Sequence, residues 1–388
     1  MHFLSDTLQE IEQAGLKRSL RPLIPLGPTR ALHDGREVVL FCTNNYLGLT
    51  HHPRVIARAQ EALQAYGSGS GAARLISGHT PLHQALEEAV ARFKGCARAL
   101  VFPSGYTANM AVISALAGRE DVVFCDRLCH ASLLDGCLLS GAKLVRFRHN
   151  DLDSLRGLLA RHTGRRRFLI TEGVFSMDGD TAPLAELHQV AVENALVFIV
   201  DDAHGTGVLG PGGRGTAAAQ VVPAGNLVVT GTLSKALGSL GGFVAGSALL
   251  IEYILNRARP FIFTTALPAA SVAAALAALE VLEEEPALLD RLWKNVSHLH
   301  AGLTALGCNA DKISPIMPLV LGSPERATRA SDHLLARGYY VPAVRPPAVP
   351  PGTARLRITV TAAHTPAEIE GFLEALAEVL GIEHKMKK

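Results

Sequence analysis

From about residue 55 to 250, short apolar runs alternate with amphipathic stretches. The runs at 99–102, 122–125, 144–147, 168–171, 197–200, 227–229 and 242–245 read as strands, because they are apolar, short and bounded by turn residues. Between them the 3.6-residue period predicts helices over 55–66, 83–93, 106–117, 131–140, 152–162 and 184–194. Thr80 and Pro81 form a start signal for the second of these. Strand–helix alternation with apolar strands implies an α/β fold whose mostly parallel sheet is covered on both faces. A longer helix over 267–285 leads to a smaller C-terminal α+β portion, and residues 1–30 read as a helix and an arm marked by Pro22, Pro25 and Pro28. The expected division is an arm and small-domain segment over 1–50, a large domain over 51–285 and a small domain over 286–388.

Composition changes this picture little. With 48% hydrophobic and 19% charged residues among 388, the chain is globular rather than disordered. A net charge of +2 argues against a nucleic-acid surface. Arg165-Arg166-Arg167 reads as a solvated turn, and Lys385-Met386-Lys387-Lys388 as a frayed end. The six cysteines are scattered, so reduced thiols and a cytoplasmic location are expected. Cys125, Cys129 and His130 lack the spacing and second ligand pair of a zinc site, and no metal is expected. Residues 1–20 do not resemble a secretory leader. The alanine-rich stretch 266–282, with Pro268 in it, falls short of the ~20 strongly apolar residues a membrane span needs.

The chemistry gathers at strand ends, where ligands bind in open α/β sheets. Lys235 follows the run 227–229 in a loop of small residues. A lysine desolvated there has a lowered pKa and becomes a nucleophile suited to Schiff-base chemistry. Asp201 and Asp202 close the run 197–200, and alternation lets only one of them face inward. A lysine at one strand end and an acid at another are what pyridoxal phosphate requires: an amine for its aldehyde and a partner for its ring nitrogen. Ser104-Gly105-Tyr106 joins a strand to a helix and would cradle a phosphate, with Thr232 adding a hydroxyl, although an ordinary turn looks the same. His130 and His204 also fall at strand ends, where an imidazole can stack on a ring or move a proton, or serve structure alone. Gly205 to Gly210 matches GxGxxG, yet Pro211-Gly212-Gly213 follows, so it opens no helix and is not a dinucleotide fingerprint. Arg74 and Ser77, in a glycine-rich stretch from Tyr66 to Gly78, suggest an ordered loop that approaches a ligand. Arg355 and Arg357 share one face of a strand and could bind a carboxylate or be surface charge on an edge.

These residues resemble a known family. Asn44-Asn45-Tyr46-Leu47-Gly48-Leu49, Ser104-Gly105-Tyr106, Asp126 to Ser132, Glu172 to Gly179, Asp201 to Gly205 and Thr232-Leu233-Ser234-Lys235 are similar, in order and over nearly the whole chain, to the α-oxoamine synthases. Those are fold-type I pyridoxal-phosphate transferases with a seven-stranded-type sheet and a smaller α+β domain. The resemblance implies that Lys235 forms the Schiff base, Asp201 pairs with the ring nitrogen and His130 stacks on the ring. It implies that Ser176 and His204 bond the ring hydroxyl side, and that Gly105, Tyr106 and Thr232 hold the phosphate. Thr264 would reach the phosphate of the other subunit of a homodimer. Arg21, Asn44, Thr353 and Arg357 would face substrate, Arg357 being favoured over Arg355 by its place before Thr361-Ala362-Ala363-His364. The segment 343–357 implies condensation of L-alanine with a pimeloyl thioester, carried by coenzyme A or a carrier protein, with His204 polarising the acyl carbonyl. Ala73 stands where glycine-specific members show threonine and leaves room for a methyl group. The lysine segment 231–238 also suits a glycine acetyltransferase. An aminotransferase on the same fold and a catalytically silent regulatory subunit are the other readings, and Lys235 with its partners speaks against the last.

Overall fold

The structure, a computed structural model, describes residues 1–308 and 314–381; the tail Lys385-Met386-Lys387-Lys388 lies outside the described residues. Backbone contacts divide the chain into a large unit, Leu49–Ser176 with Asp180–Leu289, and a small unit built from Met1–Gly48, Met177–Gly179 and the segment from Asp290 onward.

The small unit opens with a helix, His2–Gln13, and three short strands: β1 (Ile24–Pro25), β2 (Arg30–His33) and β3 (Arg36–Leu40). The arm read from the prolines is therefore partly sheet. Asp34 and Gly35, with φ of 49° and 76°, close the β2–β3 hairpin, as an Asp-Gly pair does in a tight two-residue turn.

The large unit is built on seven strands: β4 (Arg98–Phe102), β5 (Val122–Asp126), β6 (Lys143–Phe147), β7 (Arg167–Glu172), β8 (Val197–Asp201), β9 (Leu227–Thr232) and β10 (Gly242–Gly246). Their order is β4-β10-β9-β8-β7-β5-β6. Strands β6, β5, β7, β8 and β9 run parallel, and β10 is antiparallel to both its neighbours. Strands β5, β8 and β9 are buried nearly end to end, the pattern of a sheet covered on both faces. One core cluster packs Phe102, Ala108, Val112, Leu133, Phe168 and Ile199 between sheet and helices. Strand β9 continues past Val229 through Thr230, Gly231 and Thr232. The long helix starts at Ala269, directly after Pro268, and ends at Glu284.

The remaining strands, β11 (Ile316–Gly322), β12 (Tyr339–Tyr340), β13 (Ala343–Val344) and β14 (Ala354–Thr359), belong to the small unit. Strand β14 lies between β11 and β13 with all six residues buried, so Arg355 and Arg357 are not surface charges on an edge. The Arg165-Arg166 bend is exposed, as a solvated turn should be, and Arg166 in addition forks onto the buried Asp121 at 2.7 and 3.2 Å. Among the described residues, no helix is long and apolar enough to cross a membrane.

Candidate active site

Helix Gly105–Leu116 begins directly after β4, with Ser104 as its cap: Oγ accepts the Thr107 N–H at 3.1 Å. Its first amides are left without intrahelical acceptors and favour an anion. A Cβ on Gly105 would stand 3.2 Å from Thr232 Cβ, so the glycine brings the helix start against the end of β9. Thr232 is buried, and its hydroxyl donates to Gly241 O at 2.8 Å. Tyr106 hydrogen-bonds Asp135 and meets the His130 ring edge-on, with centroids 6.1 Å apart.

His130 caps the next helix, Ala131–Ser140. Its Nδ1 accepts the Ser132 N–H at 3.3 Å and lies 2.7 Å from Ser132 Oγ. Burial lowers its pKa, the Asp201 charge pulls the other way, and the Lys235 charge adds to the lowering. A neutral, flat imidazole suits ring stacking.

Asn109 joins these parts, and sequence reasoning passed over it. Its Nδ2 donates to Asp201 Oδ2 at 2.7 Å and to Ser132 Oγ at 2.9 Å, while Oδ1 accepts from Thr230 Oγ1 at 2.6 Å. One buried amide thus ties Asp201 to the His130 cap and to β9. The available signal was an asparagine in the middle of a mostly apolar helix, one turn past its start. Asp201 Oδ1 also accepts the Ala203 N–H at 3.0 Å. Lys235 Nζ lies 2.7 Å from Nε2 of the buried His204. Ser176 donates its N–H to Glu172 Oε2 at 3.3 Å.

Asp202, next to Asp201, is also buried but serves a different network. Its Oδ2 takes a 2.7 Å contact from Lys94 Nζ, and its Oδ1 accepts from Thr216 Oγ1 at 2.7 Å. Cβ atoms at Gly205 and Gly215 would overlap the Asp202 carboxylate, and Gly215 has a φ of 108°. These two glycines therefore admit the ion pair, and a short 3-10 turn, Pro211–Gly213, directly follows the GxGxxG stretch and precedes Gly215.

The other expected positions fall as follows. Thr264 is half-buried in the turn after the helix Arg259–Ile262. In the small unit, Arg357 donates to Asn44 Oδ1 at 3.1 Å and to the Tyr46 hydroxyl at 3.4 Å. Arg355 is committed to Asp178 at 2.7 Å. Arg21 lines a cavity of about 550 Å³ with Arg18, Arg345, Tyr340 and Asp332. Thr353 closes its own turn on Pro350 O at 2.7 Å. In the loop from Tyr66 to Gly78, Arg74 is buried, with Nη2 donating to both Glu87 carboxylate oxygens at 3.0 and 3.1 Å and lying 2.9 Å from His79 Nδ1.

Pyridoxal phosphate fits the large unit's residues. The helix start at Gly105 with Thr232 can hold the phosphate, the Asp201 carboxylate is fixed by two donors for the ring nitrogen, and Lys235 is poised beside an imidazole for the aldehyde. When bound, the cofactor supplies an electron sink for charge developing at the amino-acid Cα.

Comparison with known proteins agrees. The family described as aminotransferase class I and II matches residues 36–376. An 8-amino-7-oxononanoate synthase of Anaeromyxobacter dehalogenans (strain 2CP-1) is 49% identical over 98% of this chain and 96% of its own length. A Desulforudis audaxviator relative, provisionally given the same name, is 74% identical over 97% of this chain and 98% of its own. Among solved structures, a serine palmitoyltransferase from S. paucimobilis with bound pyridoxal phosphate superposes with a TM-score of 0.92 at 37% identity, covering 97% of this chain and 96% of that one. With the Lys235, Asp201 and Gly105 arrangement in place, the chain belongs to the class I and II aminotransferase family and, within it, to the pyridoxal-phosphate-dependent α-oxoamine synthases.

Proposed function

We propose that this acyltransferase condenses L-alanine with a pimeloyl thioester. Carbon–carbon bond formation joins the alanine Cα to the acyl carbon; the thiol and carbon dioxide leave, and 8-amino-7-oxononanoate, a biotin precursor, is the product. The observation that carries the reading is Lys235 Nζ at 2.7 Å from His204 Nε2. Lys235 takes the proton from the amino-acid Cα and returns one to the product. His204, neutral or protonated, can donate a hydrogen bond to the acyl carbonyl oxygen as charge gathers there. Asp201 keeps the ring nitrogen protonated, and the Asn109 and Ala203 donors hold it for that task. Arg357, paired with Asn44, is the proposed ligand for the amino-acid carboxylate, because Arg355 already holds Asp178. Arg21 and Thr353 are the proposed contacts to the acyl substrate. Ala73 supports alanine over glycine, since a small side chain leaves room for the methyl group. The names of the relatives support the same acyl chain.

The working assembly is proposed to be a homodimer in which Thr264 reaches the partner's phosphate. Phe263 and Ile76, 70% and 81% exposed, are the apolar surface that pairing would cover. The deciding experiment measures thiol release by the cofactor-loaded protein. L-alanine with pimeloyl-CoA, or with the pimeloyl carrier protein, is expected to outpace glycine with acetyl-CoA. The reverse order would make this a glycine acetyltransferase.

A further inference from the structure

Glu172 ends β7, where it pairs in register with Asp201 at the end of β8. Residues so paired project from the same face of the sheet. Only 2% of Glu172 is exposed. Its Oε2 accepts the Ser176 N–H at 3.3 Å, and the backbone of His130 bonds the same carboxyl. Its Oε1 is buried with no hydrogen-bond partner among the described residues. The side chain thus grips the backbones of two residues assigned to the cofactor and leaves one oxygen over.

An unsatisfied buried polar atom is costly, and in a folded protein it asks for a partner. Burial pushes the Glu172 carboxyl well above its ordinary range, and the adjacent Asp201 charge pushes the same way; Lys235 and the two backbone donors only partly oppose them. Two carboxyls side by side in a buried site settle with one neutral. If Oε2 receives the N–H groups, the proton of the neutral acid sits on Oε1, which becomes an O–H donor.

We propose that Glu172 is a further site residue that acts as a neutral acid: Oε2 positions His130 and Ser176, and Oε1–H donates a hydrogen bond to an oxygen of the bound molecule. That oxygen belongs either to the cofactor's ring hydroxyl or to the amino-acid carboxylate, and both are strong acceptors. The inference rests on cofactor binding at Lys235 but not on which thioester reacts, so a different acyl substrate would leave it standing.

The test uses the full-length loaded protein with Glu172→Gln and Glu172→Ala. Infrared difference spectra between wild type and Glu172→Gln should contain the C=O stretch of a protonated carboxyl. Glutamine keeps a neutral donor of the same size, so the pH midpoint of the cofactor absorption band should stay within about 0.3 unit of wild type and the Kd for L-alanine within about twofold. Alanine should separate the two acceptors. A midpoint shift of about one pH unit with little change in Kd assigns the cofactor oxygen; a Kd raised about tenfold at an unchanged midpoint assigns the carboxylate. A carboxylate rather than carboxyl signature, a glutamine variant as damaged as the alanine one, or an alanine variant unchanged in both readouts would overturn the inference.

Discussion

Two lysines of the large unit sit near the end of β8 in different company. Lys94 Nζ is 2.7 Å from Asp202 Oδ2, 2.7 Å from Thr206 Oγ1 and 2.9 Å from Arg214 O, with 3% of its side chain exposed. Three acceptors use its three N–H donors, and a buried carboxylate fixes its charge. Lys235 faces the His204 ring nitrogen, a neighbour that can give or take a proton. Adjacent acids, Asp201 and Asp202, divide the same way: one is held by an amide and a backbone N–H, the other is locked to a lysine. These contacts support the proposed division of labour: the neighbour a lysine is given, rather than burial alone, suits it to chemistry or to structure.

Breaking the reactive side has the largest expected effect. Lys235→Ala should abolish the cofactor's absorption band and cut thiol release by roughly 10³-fold or more. Retained turnover would end the assignment. Breaking the locked side should act on folding instead. Lys94→Met leaves Asp202 buried without its partner, at a cost of about 3–5 kcal/mol in denaturant unfolding. Adding Asp202→Asn should recover part of that loss. The folded single variant should keep the absorption band; its disappearance would show that Lys94 belongs to the chemistry.

The strands and most helices could be read from the sequence because each apolar run is a buried strand in a sheet covered on both faces. The residues proposed for the reactive side could be gathered from the sequence too, since Lys235, Asp201 and His204 stand at strand ends, where topology converges. The locked side was not: Lys94 meets Asp202 across 108 positions, and no local pattern announces that pairing. Strand β9 runs past its apolar stretch because Thr230 and Thr232 find internal acceptors, which lets hydroxyls lie buried in a strand. The pairing of Arg74 with Glu87 was not legible either, because the two residues stand on different elements. The Asp34-Gly35 hairpin was readable and was passed over, because the prolines around it read as an irregular arm.

Histidines extend the same comparison to pH. His149 lies between Asp126 at 3.1 Å and Asp180 at 2.7 Å; burial opposes its charge, yet these bonds raise its pKa to about 9. Its contribution to stability should be whole below about pH 6.5 and be lost as pH rises through about 9. His83 and His364 are pushed down to about 4, chiefly by burial, so theirs should be whole above about pH 6.5 and be lost as pH falls through about 4. Unfolding measured from pH 4 to 10 should fall off at both ends, by roughly 1–3 kcal/mol per histidine. His149→Gln should flatten the alkaline limb alone; an unaltered limb would place the loss elsewhere.

The smallest effect separates the two sides most finely. Thr230→Val keeps the shape of the side chain but removes the donor to Asn109 Oδ1, leaving a buried amide oxygen unpaired. Thr216→Val does the same to Asp202 Oδ1, apart from the Thr216 N–H that remains at 3.1 Å. Each should cost about 1–2 kcal/mol in unfolding. Only the first loosens the amide that holds Asp201, so only Thr230→Val should move the pH midpoint of the cofactor band, by a few tenths of a unit. Equal shifts in both variants would mean that Asp202 acts on the cofactor through its charge, and the division between the reactive and the locked acid would have to be redrawn.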